Sequence, residues 1–100
     1  MLQEANLNGA ILSDADLSGA ELHDTYLKGA DLTGTNLTGA NLSGAILSGA
    51  NLISASLTSV TLTGTILRGA NLSGAKVTAN HLAQAKSLKG ATMPDGTVHK

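Results

Sequence analysis

The chain has 100 residues and a formal net charge of −1, with one tyrosine and no phenylalanine, tryptophan or cysteine. This length fits a single domain. Without cysteine, the sequence excludes disulfides, a thiolate nucleophile and a cysteine-ligated zinc site. With one aromatic side chain an ordinary globular core is hard to fill, so the chain must bury apolar surface in another way.

Leucine occupies every fifth position from Leu2 to Leu72, and the same frame continues to Val77. In an α-helix, five residues turn by about 500°, which would scatter the leucines around the helix. In a straight strand, an odd period would send successive leucines to opposite faces. A chain that bends by the same angle at every repeat keeps all of them inside, so the period predicts a solenoid with a leucine axis.

The predicted axis takes one inward residue from each repeat. Its members are Leu7, Leu12, Leu17, Leu22, Leu27, Leu32, Leu37, Leu42, Leu47, Leu52, Leu57, Leu62, Leu67, Leu72 and Val77. The residue two before each leucine shares its face and should also point inward. The corner between repeats is most often glycine, and Asp14, Asp24, Ser54 and Ser59 fill other corners. All of these residue types favour tight turns.

The motif Ala-Asp/Asn-Leu resembles the pentapeptide repeat family over residues 1 to about 77. It occurs at Ala15–Leu17, Ala30–Leu32, Ala40–Leu42 and Ala70–Leu72. The resemblance implies an all-β solenoid: a right-handed quadrilateral β-helix of about four square coils, each made of four repeats. The segment from Leu88 to Gly96 is similar to the C-terminal ends of some bacterial members, notably cyanobacterial ones.

A square coil of four repeats would stack Tyr26, Ile46 and Ile66 as outward neighbours. Lys28 and Arg68 lie on the same side, two residues further along. An apolar stripe with a charged rim is typical of a protein interface. These five residues are therefore the candidate interaction face. The alternative is that β-branched residues occupy this column because they pack well in ladders.

The five-residue frame breaks after Val77, which divides the chain into a repeat domain (1–77) and a C-terminal cap (78–100). The segment 79–86 lacks corner glycines and follows Thr78, a good N-cap, so we expect a short helix that covers the last coil. The alternative is one more coil side centred on Leu82. The Pro-Asp-Gly sequence at 94–96 predicts a turn, and the tail from 97 to 100 is expected to fray.

No catalytic motif emerges from the sequence. The glycines follow the repeat and open no phosphate-binding helix. His23, His81 and His99 share no metal-ligand spacing, and a filled rod offers no cleft for paired carboxylates. We therefore expect no enzyme activity, no cofactor and no metal.

The favoured function is a structural or protein-interaction module that presents rigid faces to an unknown protein or to a second copy. A homodimer would use one face or the N-terminal end, where no cap is visible and open edges invite association. The sequence shows no signal peptide and no membrane-spanning segment, so we expect a cytoplasmic protein that does not bind membranes.

The charges are uneven: acidic residues concentrate before Leu32, basic residues concentrate after Leu67, and none lies between. The family resemblance also implies an alternative function, because some members protect topoisomerases as acidic, dimeric rods. Such a DNA-mimicking inhibitor or protector of a type II topoisomerase needs negative charge along the whole rod, which this sequence lacks. Six lysines and arginines without a basic stripe also argue against nucleic-acid binding.

Overall fold

The computed structural model describes residues 5–100, and in this range the chain winds into stacked coils. Isolated parallel β-bridges join residues that are twenty positions apart, in four columns. The columns are Asn6/Tyr26/Ile46/Ile66, Ile11/Asp31/Asn51/Asn71, Asp16/Asn36/Ser56/Lys76 and Glu21/Asn41/Thr61. Each β element is a single bridge residue, because the chain turns again before a longer strand can form.

The turn between columns has the same hydrogen bond in every repeat. The carbonyl oxygen of an axial leucine accepts from the N–H three residues on, as in the 2.9 Å bond from Ala40 to Leu37. The third residue of the turn has a positive φ, which is 70° at Gly39 and 56° at Ser59. Glycine reaches this region without steric cost, which explains why it dominates the corners.

The core is the predicted leucine axis surrounded by small side chains. The axial leucines from Leu22 to Leu72 are at most 1% exposed. Alanines fill most of the inner positions two residues earlier, and Thr25, Thr35 and Thr65 are buried there as well. These small side chains leave room for the leucines, which compensate for the missing aromatic residues.

The last coil departs from the twenty-residue period. Ile66 pairs with Ser87, and Asn71 pairs with Thr92, so each of these spacings is twenty-one residues. The extra residue is accommodated by helix α1, Ala79–Leu82, which Thr78 caps by accepting a hydrogen bond from the His81 N–H.

Helix α1 is shorter than the predicted 79–86. It ends at Leu82 because the chain then returns to the ladder, where Gly64 donates to Gln84 and Lys86 donates to the Thr65 carbonyl. Leu82 is 4% exposed and packs in the core. The helix therefore occupies the place of a coil side, and its leucine extends the axis.

The C-terminal tail is ordered by backbone pairing, so the expectation that 97–100 would fray is wrong for Thr97–His99. Val98 forms an antiparallel bridge with Thr92. Met93 donates to Thr97, and His99 donates to Ala91. The Pro94–Gly96 turn brings this short strand back over the last coil, where it covers part of the open edge.

The two ends of the rod are less completely filled than the middle. Leu7, Leu12 and Leu17 in the first coil are only partly buried, as is Val77. A small apolar cavity of about 80 Å³ lies among the leucines of the first two coils. The axial position Leu2 lies outside the described residues. The Cα atoms extend over 32 × 24 × 23 Å, and none of the described helices is long and apolar enough to cross a membrane.

Candidate interaction face

The structure places Tyr26, Ile46 and Ile66 in one continuous ladder. Tyr26 bridges to Ile46 and Ile46 to Ile66, both in parallel. Leu27 donates a 2.8 Å hydrogen bond to the Ile46 carbonyl, and Leu47 donates a 2.7 Å bond to that of Ile66. These side chains therefore project from successive coils at the spacing of neighbouring strands, which is about 4.8 Å.

The three side chains are not equally exposed. Tyr26 is 45% exposed, whereas Ile46 and Ile66 are half-buried. The tyrosine is therefore the most accessible part of this stripe, and the two isoleucines form a flatter apolar surface beside it.

The cationic rim is longer than the sequence indicated. Backbone hydrogen bonds align Lys28, Ser48, Arg68 and Lys89 in one column, because the corner glycine after each of the first three donates to the next. Lys28, Arg68 and Lys89 are all exposed. The twenty-residue frame does not predict Lys89 in this column, because the last coil is one residue longer than the others.

Asparagine and aspartate before the axial leucine have a local structural role. Their Oδ1 atoms accept a hydrogen bond from the backbone N–H two residues on, for example from Ser43 to Asn41 at 3.0 Å and from Ser73 to Asn71 at 3.0 Å. The same bond reaches Asp31 from the N–H of Thr33. This cap satisfies a donor that the turn leaves unpaired.

Tyr26, Ile46 and Ile66 cannot cap the turn in this way, because tyrosine and isoleucine carry no acceptor at that position. In the Tyr26 turn, Asn8 substitutes by accepting the Lys28 N–H at 2.8 Å. Other columns also contain residues without this bond, such as Thr61 and Lys76, so what distinguishes this side of the rod is its run of three apolar residues in successive coils.

Three aspartates that cap turns are held in their charged form. The Ser18 hydroxyl and N–H lower the pKa of Asp16, since both donate to its carboxylate. The side chain and then the backbone of Thr33 lower the pKa of Asp31 in the same way. Thr97 does so for the pKa of Asp95.

The C-terminal end carries an open groove of about 570 Å³, so the expectation that the rod has no cleft is wrong. Val77, Leu82, Leu88 and Met93 are among its lining residues, and so are Asp95, Thr97 and His99. Residues 5–100 contain no group of three or more His, Cys, Asp or Glu placed to hold a metal ion.

Comparison with known proteins decides the family. The model of the pentapeptide repeats matches eight copies across residues 2–39 and 35–74. The chain belongs to the pentapeptide repeat family. Family membership implies a right-handed β-helix, which agrees with the parallel ladders. Pentapeptide repeat proteins are generally non-enzymatic structural or interaction modules. No curated protein matches the sequence.

Solved pentapeptide repeat proteins share this architecture. HetL from the cyanobacterium Nostoc sp., which is involved in the regulation of heterocyst differentiation, is 42% identical, with a TM-score of 0.69, 94% of this chain covered and 43% of HetL covered. A protein from the thylakoid lumen of Arabidopsis thaliana is 30% identical, with a TM-score of 0.86 and coverage of 99% and 68% respectively. Rfr23 from the cyanobacterium Cyanothece is 38% identical, with a TM-score of 0.75 and coverage of 98% and 63%.

The chain thus spans less than two thirds of HetL and of Rfr23. The cytoplasmic location stays a prediction, because one of these relatives is a thylakoid-lumen protein.

Proposed function

We propose that this pentapeptide repeat protein is a non-enzymatic interaction module. Its scaffold is a right-handed quadrilateral β-helix of about four coils, formed by residues up to 77 and closed by residues 78–100 as a cap. The four ladder columns and the five-residue turn support this description. Rigid ladders hold side chains at fixed spacing, so a partner can bind without ordering a flexible loop.

The interaction face in this proposal is the ladder Tyr26, Ile46 and Ile66 with the cations Lys28 and Arg68 at its rim. The observation that carries it is the run of three apolar residues in successive coils, which no other column of the described residues contains. Each apolar residue here forgoes a hydrogen bond that asparagine or aspartate makes elsewhere. An apolar run with a cationic rim is typical of a protein interface, which supports a role in binding.

The partner is either a second copy or another protein, and the mass in solution separates the two. Light scattering after size exclusion should be run on the wild type, on Ile46→Lys and on Ile46→Asn, which restores the cap while removing the apolar surface. A wild-type dimer that both variants dissociate places self-association on this face. A monomeric wild type directs the proposal to a foreign partner. A dimer unchanged by both variants contradicts a role for this face in self-association.

The competing function is a DNA-mimicking inhibitor or protector of a type II topoisomerase. It would require negative charge along the rod, yet no charged residue lies between Leu32 and Leu67. A supercoiling assay with DNA gyrase tests it directly. Inhibition of supercoiling, or protection of the enzyme from a quinolone, would favour mimicry over the interaction module.

A further inference from the structure

We infer that copies of this chain associate head to tail, with the strand edge at Ile11 of one copy pairing with the strand edge at Val98 of the next. The inference concerns the two ends of the rod and is independent of the proposed Tyr26 face. It follows from matching backbone edges, from the placement of exposed apolar side chains and from opposite charges at the two ends.

The first coil presents an unused backbone edge at Ile11. Asp31 donates to the Ala10 carbonyl and accepts from the Leu12 N–H, so both bonds to the second coil come from the neighbours of Ile11. The N–H and C=O of Ile11 point the other way. Within the described residues, neither group has a hydrogen-bond partner.

The C-terminal strand presents the complementary edge at Val98. Met93 donates to Thr97 and His99 donates to Ala91, so the N–H and C=O of Val98 face away from the rod. They too have no hydrogen-bond partner among residues 5–100.

The two edges match in direction. Val98 runs antiparallel to Thr92, while Ile11 begins the column that Thr92 ends. A second copy stacked along the axis would therefore place Ile11 antiparallel to Val98. In such a pair, the two residues exchange both N–H···O=C bonds.

Exposed apolar side chains lie at the same two places. The large hydrophobic residues with the highest exposure are Ile11 at 80% and Val98 at 58%, which stand at opposite ends of one column. Near Val98, the groove has Val77, Leu82, Leu88 and Met93 among its lining residues. The partly buried Leu7, Leu12 and Leu17 of the next copy would face this groove and cover it.

The charges of the two ends favour contact between unlike ends. The acidic end carries Asp14, Asp16, Glu21, Asp24 and Asp31, with one cation, Lys28. The basic end carries Arg68, Lys76, Lys86, Lys89 and Lys100, with one anion, Asp95. Like ends repel and unlike ends attract, which selects a head-to-tail arrangement over a symmetric pairing of two identical ends.

The interface at this junction is small, and the head-to-tail contact does not produce a closed assembly. The two shorter dimensions of the molecule, 24 and 23 Å, limit each end to roughly 550 Å², which is below the about 800 Å² per partner of a standard interface. A heterologous contact along the axis leaves both outer ends free, so growth continues. We therefore expect weak, reversible chains rather than a stable dimer.

Sedimentation velocity on the full 100-residue chain tests this arrangement. For a dissociation constant on the order of 1 mM, the weight-average mass should rise about twofold or more as the concentration increases from about 10 μM to about 1 mM. It should fall when salt is raised from about 20 to about 500 mM, because the unlike charges are screened. A mass that stays monomeric, or that stops at the dimer, overturns the inference.

A charge exchange tests the specific contact. Ile11→Lys puts a cation against the basic end, and Val98→Asp puts an anion against the acidic end, so each variant alone should remain monomeric. The double variant sets opposite charges across each junction and should regain association. Both positions are exposed, and thermal melting monitored by circular dichroism checks that the variants stay folded. Thr61→Lys, at an exposed position outside the Tyr26 ladder and outside both end edges, is the matched control and should associate like the wild type.

A double variant that stays monomeric although it is folded would refute the pairing of Ile11 with Val98. Association that Ile46→Lys abolishes and the two end variants leave intact would place the contact on the side face instead.

Discussion

The hydroxyl of Thr65 donates a 2.6 Å hydrogen bond to the carbonyl oxygen of Leu42 in the preceding coil. Thr65 is fully buried, so this bond joins two coils inside the rod. Thr35 makes the equivalent 2.8 Å bond to Leu12. The inner position therefore accepts a polar side chain when the neighbouring coil supplies an acceptor.

Replacing Thr65 with valine should destabilise the protein by about 0.5–1.5 kcal/mol, the net value of a typical hydrogen bond. The Leu42 carbonyl keeps its bond from Ala45, so no buried acceptor is left without a partner. Urea unfolding measures the change. Thr63→Val at an exposed position is the control and should stay within about 0.5 kcal/mol of the wild type. Equal effects of both substitutions would argue against a role for the inner hydroxyl.

Replacing an asparagine that caps a turn with isoleucine, and replacing an isoleucine of the Tyr26 ladder with asparagine, should change the free energy of unfolding by different amounts. Asn41→Ile removes the acceptor of two bonds from Ser43, at 3.0 and 2.7 Å, and should cost about 1 kcal/mol. Ile46→Asn adds a cap for the Ser48 N–H and loses some apolar packing, so its stability should lie within about 1 kcal/mol of the wild type. The free energy of unfolding in urea compares the two. A larger loss for Ile46→Asn than for Asn41→Ile would mean that packing, not binding, keeps the ladder apolar.

Acidification should weaken the fold through its capping aspartates. The Thr33 side chain and backbone lower the pKa of Asp31, so the folded state holds the charged form more strongly than the unfolded state does. The associated stability is present above the unfolded pKa of about 3.9 and is lost as the pH falls through the folded pKa. Asp31 is only partly buried, so solvent screens its charge and its individual share is small.

The urea midpoint measured from neutral pH to about pH 2.5 follows this loss. Asp31→Asn keeps a capping oxygen, as at Asn51 and Asn71, and cannot titrate. Its stability should fall less steeply with acid than that of the wild type. Identical acid profiles would show that Asp31 does not contribute to the pH dependence.

The position of a leucine along the axis should set the cost of removing it. Leu57 in the middle of the rod is 1% exposed, and Leu57→Ala should cost about 2–5 kcal/mol through lost burial and the cavity left behind. Leu7 in the first coil is only partly buried, so Leu7→Ala should cost about half as much or less. Equal losses in thermal unfolding would contradict the description of an open N-terminal end.

The coil geometry could be predicted from sequence because each repeat constrains its neighbours in the same way. Leucine at every fifth position, glycine at the corners and outward residues twenty apart all agree, and the ladder Tyr26/Ile46/Ile66 follows from that count. The last coil contains one extra residue, so the twenty-residue spacing no longer predicts which residues stack there. The twenty-residue spacing therefore does not place Lys89 in the column of Lys28 and Arg68. The helix predicted after Val77 did mark the point where the register would shift.

The remaining differences come from contacts that a periodic pattern does not encode. Helix α1 ends at Leu82 because Gln84 and Lys86 form backbone hydrogen bonds with the coil beneath. The strand at Val98 forms because the turn at 94–96 directs the tail back to Thr92. The repeat pattern also did not predict that asparagine and aspartate before the axial leucine cap the turn. The turn leaves the backbone N–H two residues later without another partner, and this could have indicated the cap.

The most direct measurement of the central claim is site-specific photo-crosslinking on the Tyr26 ladder. A photoreactive residue replaces Ile46 in one variant and Thr61 in another. Thr61 lies at the same place in a repeat but in a different column. Each variant is irradiated in cells that naturally produce the protein, and the adducts are compared. We predict a discrete protein adduct, either a second copy or another protein, from position 46 and none from position 61. No adduct from position 46, or the same adducts from both positions, would contradict the assignment of this ladder as the interaction face.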